Sequence, residues 1–206
     1  MIVAVGDLDL AARRLEEDLG LGSQPGGIHP DYGTANHIVP VGGGSYLELM
    51  AVHDPELAGR TAIGRWLTAR LAVGGDGPAG WMLAPDNFEA TVARLDLTVA
   101  PGQRHLPDGS AVAWRLAGFG SMLKEPPLPA FIAWDVPPGR HPSATVVAHR
   151  EEPAGIAWVE VAGDATRLGS WLGADLGPVD LRLAAGPPGL RRVGLARPGG
   201  GELVLQ

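Results

Sequence analysis

The chain contains no cysteine, which removes disulfide scaffolds, thiolate metal sites, iron–sulfur clusters and cysteine nucleophiles together. Any metal would have to be held by His, Asp or Glu. There is no run of Lys or Arg, and the formal net charge is −7. Nucleic acid and anionic lipid surfaces, which need a basic footprint, are therefore not expected as partners. No apolar stretch has the length of a bilayer span, and the first residues lack a basic segment followed by a long apolar one. The expectation is a cytoplasmic protein. Aromatic residues are only 5% of the chain; the tryptophans fall inside expected strands and helices, as core anchors rather than a stacking platform.

What is abundant is glycine, 31 residues, and proline, 19. Turns must be frequent, which favours short strands over long helices. With 206 residues, 45% of them apolar, the chain can bury a sizeable core.

The apolar residues repeat one layout three times. In the first copy, Ile2 to Val5 is strand-like, Asp7 can cap a helix, and Leu8, Ala11, Ala12, Leu15 and Leu19 recur at helical spacing up to Gly20. After a Gly/Pro-rich turn come strands at Thr34 to Val41 and Tyr46 to Val52. The second copy opens at Gly80 to Leu83, passes Asp86 into a helix with Phe88, Val92 and Leu95, and continues to strands near Ala111–Leu116 and Ala130–Asp135. The third runs from Ile156 through a cap at Asp164 to strands at Val179–Leu183, Arg191–Ala196 and Glu202–Leu205, and Asp18-Leu19-Gly20 recurs as Asp175-Leu176-Gly177. The fold class expected is α+β: three βαβββ modules whose curled, mixed but mostly antiparallel sheets carry helices on their convex faces. Residues 1–140 would hold two paired modules, 1–54 and 78–140, around a helical insertion at 55–77; residues 154–206 would form the third. The inserted helix, with Ile63, Trp66, Leu67 and Leu71, either covers a cavity mouth or buries its stripe on the sheet. Alternate strand residues should line the cup enclosed by the concave faces.

Gly26-Gly27, His29-Pro30, Gly33-Thr34, Asn36 and Tyr46-Leu47-Glu48-Leu49, followed by Trp114-Arg115-Leu116-Ala117-Gly118 and Phe131 to Gly139, resemble the glyoxalase-like domain proteins of the vicinal oxygen chelate superfamily. The resemblance implies paired βαβββ units around a small-molecule cup. It also implies a divalent metal, Zn²⁺, Mn²⁺, Fe²⁺ or Mg²⁺, held by His and Glu and polarising a substrate's vicinal oxygens.

Glu48 matches the family's last-strand carboxylate, as metal ligand or catalytic base, or alternatively as a group hydrogen-bonded to a cross-strand neighbour. The family's first-strand His has no counterpart, since its place falls at or just before Met1. Aligning the copies on Asp86 and Asp164 puts Ala79 and Ala157 there, and Ala133 in the place of Glu48. His29, in the Gly-rich turn, is a candidate replacement ligand or else a surface residue; His37, of opposite parity to Asn36, should face the helix layer. Thr34, Asn36 and Tyr46, with Arg115 as a donor fork for a carboxylate or as the partner of Asp135, form a candidate substrate-binding cluster. Three functions stay open: a lyase, isomerase or dioxygenase acting on a small oxygenated or thiol-conjugated molecule, a non-catalytic small-molecule or drug-sequestering binder with a degenerate metal site, and a purely structural or interaction module. An odd number of modules suggests a homodimer.

Overall fold

A computed structural model describes residues 1–105, 111–173 and 179–206; the Asp175-Leu176-Gly177 recurrence lies outside the described residues. The first module follows from its caps. Strand β1 (Ile2–Ala4) leads to helix α1 (Leu8–Leu19), where Asp7 accepts a hydrogen bond from the Leu10 N–H at 2.8 Å. Gly20, at φ 69°, ends the helix in the left-handed conformation that suits glycine. Ala11 and Leu15 then pack with Leu47, Leu49 and Val39 into one core.

Three strands follow, not two: β2 (Gln24–His29), β3 (Thr34–Gly42) and β4 (Ser45–Val52). The stretch expected as a turn is a strand whose Pro25, Gly26 and Gly27 mask it, because the β2–β3 register shifts between Pro25 and Gly27. The sheet order is β2-β3-β4-β1, with β1 parallel to β4.

The insertion is two helices, α2 (Pro55–Arg60) and α3 (Ala62–Gly74), followed by β5 (Gly77–Gly80), which joins the first sheet antiparallel to β1. Thr61 divides them: it ends α2 and caps α3, its hydroxyl accepting from the Gly64 N–H at 3.1 Å. Ile63 and Leu67 pack on Ile2, Ala4 and Met50, so α3 fills one end of the concave face. It therefore both buries its stripe on the sheet and closes part of the cup.

The second module comprises β6 (Met82–Leu83), α4 (Phe88–Leu95), β7 (Val99–His105), β8 (Ala111–Ala117), a short α5 (Phe119–Lys124) and β9 (Ala130–Trp134). Its order, β6-β9-β8-β7, repeats that of the first module. Asn87, not Asp86, caps α4. The strand register decides which residue of β9 corresponds to Glu48. Met82 pairs with Ala130 as Ile2 pairs with Glu48, so Ala130 stands in the place of Glu48, while Ala133 packs on the helix side.

The third module has the same order of elements, β10 (Ile156–Ala162), α6 (Ala165–Leu172), β11 (Asp180–Ala184), β12 (Gly189–Ala196) and β13 (Glu202–Leu205), but is paired differently. Its opening strand runs parallel to β11, the strand after the helix, and the sheet order is β11-β10-β12-β13. It docks on the backs of the other two. Val193 and Leu195 join the core of α1, Leu47 and Leu49, while Val161, Leu168 and Trp171 join Trp81 and Phe131. The Pro-rich stretch supplies acceptors for two buried indoles, Trp81 to Pro127 O at 3.0 Å and Trp171 to Pro129 O at 2.8 Å.

The segment at 141–153 crosses the C-terminal end of α1, where the Arg150 guanidinium donates to Glu16 O and Glu17 O at 3.0 and 2.9 Å. Among the described residues no helix is long and apolar enough to cross a membrane.

Candidate functional site

The concave faces of the first two modules enclose a cavity of about 300 Å³. Alternation along β4 decides its first wall: Tyr46, Glu48 and Met50 line the cup, whereas Leu47 and Leu49 lie in the core against α1. On β3, Asn36 and Ile38 line it too. His37 points to the α1 side, within 3.3 Å of Ser23 Oγ, and burial pushes its pKa below the ordinary histidine value against a weaker pull from Asp9.

His29 is not a loop residue. It ends β2, is only 7% exposed, and lines the cup. Its place depends on the turn that follows, where Tyr32 and Gly33 N–H groups donate to His29 O. Gly33, at φ 68°, is required there: an added Cβ would lie 2.5 Å from Ala58 N and 2.7 Å from Asp54 O.

These residues form one hydrogen-bonded corner. His29 Nδ1 is 2.9 Å from Thr34 Oγ1, and Asn36 Nδ2 stands 3.5 Å from His29 Nε2 and donates to Glu48 Oε1 at 2.5 Å. His29 Nε2 and Glu48 Oε1 are 3.8 Å apart. Asn36 is 3% exposed, and its Oδ1 has no hydrogen-bond partner among the described residues. Thr34 does not line the cavity; fully buried, it orients the histidine ring.

The opposite wall is apolar. Trp114 and Leu116 from β8, Ile132 and Trp134 from β9, and Met82 from β6 face the cup. Trp114 and Trp134 lie 5.3 Å apart between ring centroids, and Tyr46 and His141 meet Trp134 edge-on at 6.3 and 5.4 Å. These tryptophans are cup residues, contrary to their expected role as core anchors. The alternation Trp114-x-Leu116 and Ile132-x-Trp134 carried that signal.

The same alternation removes Arg115 from the cluster. It points to the helix side, pairs with Glu89 and with Asp135 at 3.3 Å, and lies over the Phe88 ring at 5.1 Å. Of the residues expected at the site, the fold gathers Glu48, His29, Asn36 and Tyr46, puts Thr34 behind them, and turns Arg115 away.

A model of the glyoxalase-like domain family matches residues 1–176. The chain belongs to that family. Among solved structures, a hypothetical protein from Staphylococcus aureus is 18% identical, aligning over 91% of this chain and 85% of that one with a TM-score of 0.65. A methylmalonyl-CoA epimerase from Mycobacterium tuberculosis is 16% identical over 66% of this chain and 85% of its own, at a TM-score of 0.45. A Streptomyces coelicolor methylmalonyl-CoA epimerase is 15% identical over 65% and 91%, at 0.44. At these identities the likeness concerns the fold alone. No curated protein matches the chain.

The family membership makes the metal question specific. Among the described residues no group of three or more His, Asp and Glu side chains could hold an ion. His29 and Glu48 supply two donors, and Asn36 already spans them. The facing wall adds Trp, Leu, Ile and Met. A resident catalytic metal of the family's kind needs three protein ligands, so this donor set does not fit one.

A second cavity of about 240 Å³ adjoins the first, sharing Ile2, Tyr46, Glu48, Met82, Ile132 and Trp134, and reaching Gly43, Gly44 and Ile156. Tyr46 and Glu48 thus stand between two chambers.

Proposed function

We propose that this chain is a small-molecule binding protein of the glyoxalase-like family, with a ligand in the cup and its polar contacts at the Glu48–Asn36–His29 corner. One observation carries the reading: a pre-formed cavity with an aromatic and apolar wall facing a single polar corner, the usual make-up of a site that orients a mostly apolar ligand by few polar contacts. The test is ligand-observed NMR with a panel of aromatic fragments, on the wild type and on Leu116→Trp, which fills the cup. Hits lost in Leu116→Trp support the reading; an unchanged set of hits overturns it.

A second reading has its own support. The Thr34–His29–Glu48 arrangement, with 2.9 and 3.8 Å separations, resembles a base oriented by a neighbour, and suits Glu48 to proton transfer in a lyase- or isomerase-type reaction. Metal-assisted chemistry on Glu48 and His29 would need a third ligand, which the described residues do not supply. Elemental analysis after incubation with Zn²⁺, Mn²⁺ or Fe²⁺ decides the metal: about one tightly held ion per chain, lost in Glu48→Ala, would replace the binder with a metal enzyme. On our reading the protein acts in the cytoplasm as a homodimer; a monomer mass by light scattering overturns the dimer.

A further inference from the structure

The second chamber is too large to be a packing fault. Close-packed interiors hold few voids bigger than a water molecule, and a water takes about 30 Å³ of liquid, whereas this chamber has about 240 Å³. Its lining does not suit ordered water either, which needs polar partners on several sides. Trp81 and Leu83 come from the start of the second module, and Ile156, Val159 and Val179 from the third. Ala84 also lines the chamber and is exposed, so the chamber reaches the surface there. None of the described residues lining the cup belongs to the third module. The cup is thus a product of the first two modules, and the second chamber is a product of the docking of the third.

The boundary between the chambers carries one carboxylate. Glu48 lines both. Its Oε1 accepts from Asn36 Nδ2 at 2.5 Å. No hydrogen bond among the described residues reaches its Oε2, and that oxygen is not one of the enclosed side-chain atoms left unpartnered, so it keeps an accessible surface. The side chain is only 14% exposed, and the surface it keeps opens on the cavities it lines. The Met1 amino group, close enough to sense the charge, donates instead to Tyr46 O at 3.0 Å. A carboxylate oxygen held so far from bulk water is stabilised by a donor brought to it.

We infer that the two chambers form one binding site, which takes an elongated molecule with two apolar arms and a hydrogen-bond-donating group, O–H or N–H, between them. One arm lies against Trp114 and Leu116, the donor meets Glu48 Oε2, and the other arm lies against Leu83, Ile156 and Val179. This rests on the reading of the cup as the ligand site, and names the class of ligand. A molecule with its polar group at one end fills one chamber and leaves the apolar wall of the other in water. The third module then takes part in recognition, by closing the half of the site that the paired modules do not enclose.

Equilibrium dialysis on the full chain tests this with four probes. 1,3-Diphenyl-2-propanol carries its hydroxyl between two benzyl arms, its isomer 3,3-diphenyl-1-propanol has both rings at one end, 1,3-diphenyl-2-propanone has no O–H, and 2-phenylethanol has a single arm. The first should bind about tenfold or more tighter than each of the others, the scale of one buried apolar group or one charge-assisted hydrogen bond. Ala84→Trp, which brings a ring into the second chamber, should abolish that advantage and leave 2-phenylethanol bound as in the wild type, the control that the cup is folded. Ser45→Trp, on the same chamber, takes its place if that control fails. The isomer or the ketone binding as tightly as 1,3-diphenyl-2-propanol, or an affinity for the latter unchanged in the chamber-filling variant, overturns the inference and leaves the cup as the ligand site. Binding of none of the four, or binding unchanged in Leu116→Trp, overturns the cup itself and the inference with it.

Discussion

The two walls of the cup share one strand order and do different things. In both modules the opening strand runs parallel to the last strand, and alternate residues of the last two strands face inward. Yet the first wall presents Asn36, Tyr46 and Glu48, and the second presents Trp114, Leu116, Ile132 and Trp134. Where the first has Glu48, the second has Ala130. A repeated backbone therefore sets where side chains can meet, and the residue at each inward position sets whether they can coordinate, donate or merely pack. Two equivalent polar walls would have offered four ligand positions to an ion; one polar wall offers an anchor and one aromatic wall offers a bed.

Substitutions that act on one wall and not the other test this division. The largest effect should come from behind the aromatic wall: Phe131→Ala removes a fully buried ring stacked on Trp171 at 6.0 Å, and should destabilise the protein by about 3–5 kcal/mol in urea unfolding. A change within the error of the measurement would mean that the third module does not support this wall. On the polar wall, Asn36→Leu deprives Glu48 Oε1 of its donor and should cost about 1–3 kcal/mol. A stability gain would show that the unpaired Oδ1 outweighs the bond to Glu48. Trp134→Ala, by contrast, should weaken binding of an aromatic fragment held in the cup by about 1 kcal/mol, the scale of an aromatic contact. Equal affinity would place the ligand against the first wall alone.

The pH dependence is smaller and has a definite sign. Burial holds His141, beside Trp134, and His37, behind β3, below the ordinary histidine value of 6.5. The folded state thus favours their neutral forms. Their part in stability is complete above that value and is lost as the pH falls through the depressed folded values. Urea midpoints should drop on acidification, and the drop should be shallower in His141→Gln; identical profiles would remove His141 from the effect. Smallest of all, Arg115→Ala should leave ligand binding unchanged, because its ion pairs are exposed and on the far side of β8. Lost binding there would return Arg115 to the site.

Much of this was legible in the chain. The caps at Asp7 and Asp164, the helical stripe from Leu8 to Leu19, and the alternation at Tyr46, Glu48 and Met50 follow local rules of spacing and side-chain chemistry. β2 was hidden, since a bulged strand rich in Pro and Gly resembles a turn until a neighbour pairs with it. Ala133 was misplaced because the pairing that sets the register of the last strand, Met82 with Ala130, is between residues far apart in the chain. Trp81, Trp158 and Trp171 are buried as expected, but Trp114 and Trp134 line the cup: a wide apolar ring is equally at home in a core or on a cavity wall, and only the position of the facing sheet says which.

By itself, then, the sequence determined the α+β class, the three successive βαβββ units, the family, and the absence of thiol chemistry, because periodicity, capping and residue type act over a few positions at a time. Only the tertiary structure decided that the third unit pairs its strands in another order and docks behind the others, that His29 is drawn from the end of a bulged strand to within 3.8 Å of Glu48, and that one wall is aromatic. Those outcomes depend on which distant surfaces exclude water together, a property of the whole assembled core that no local window of residues contains.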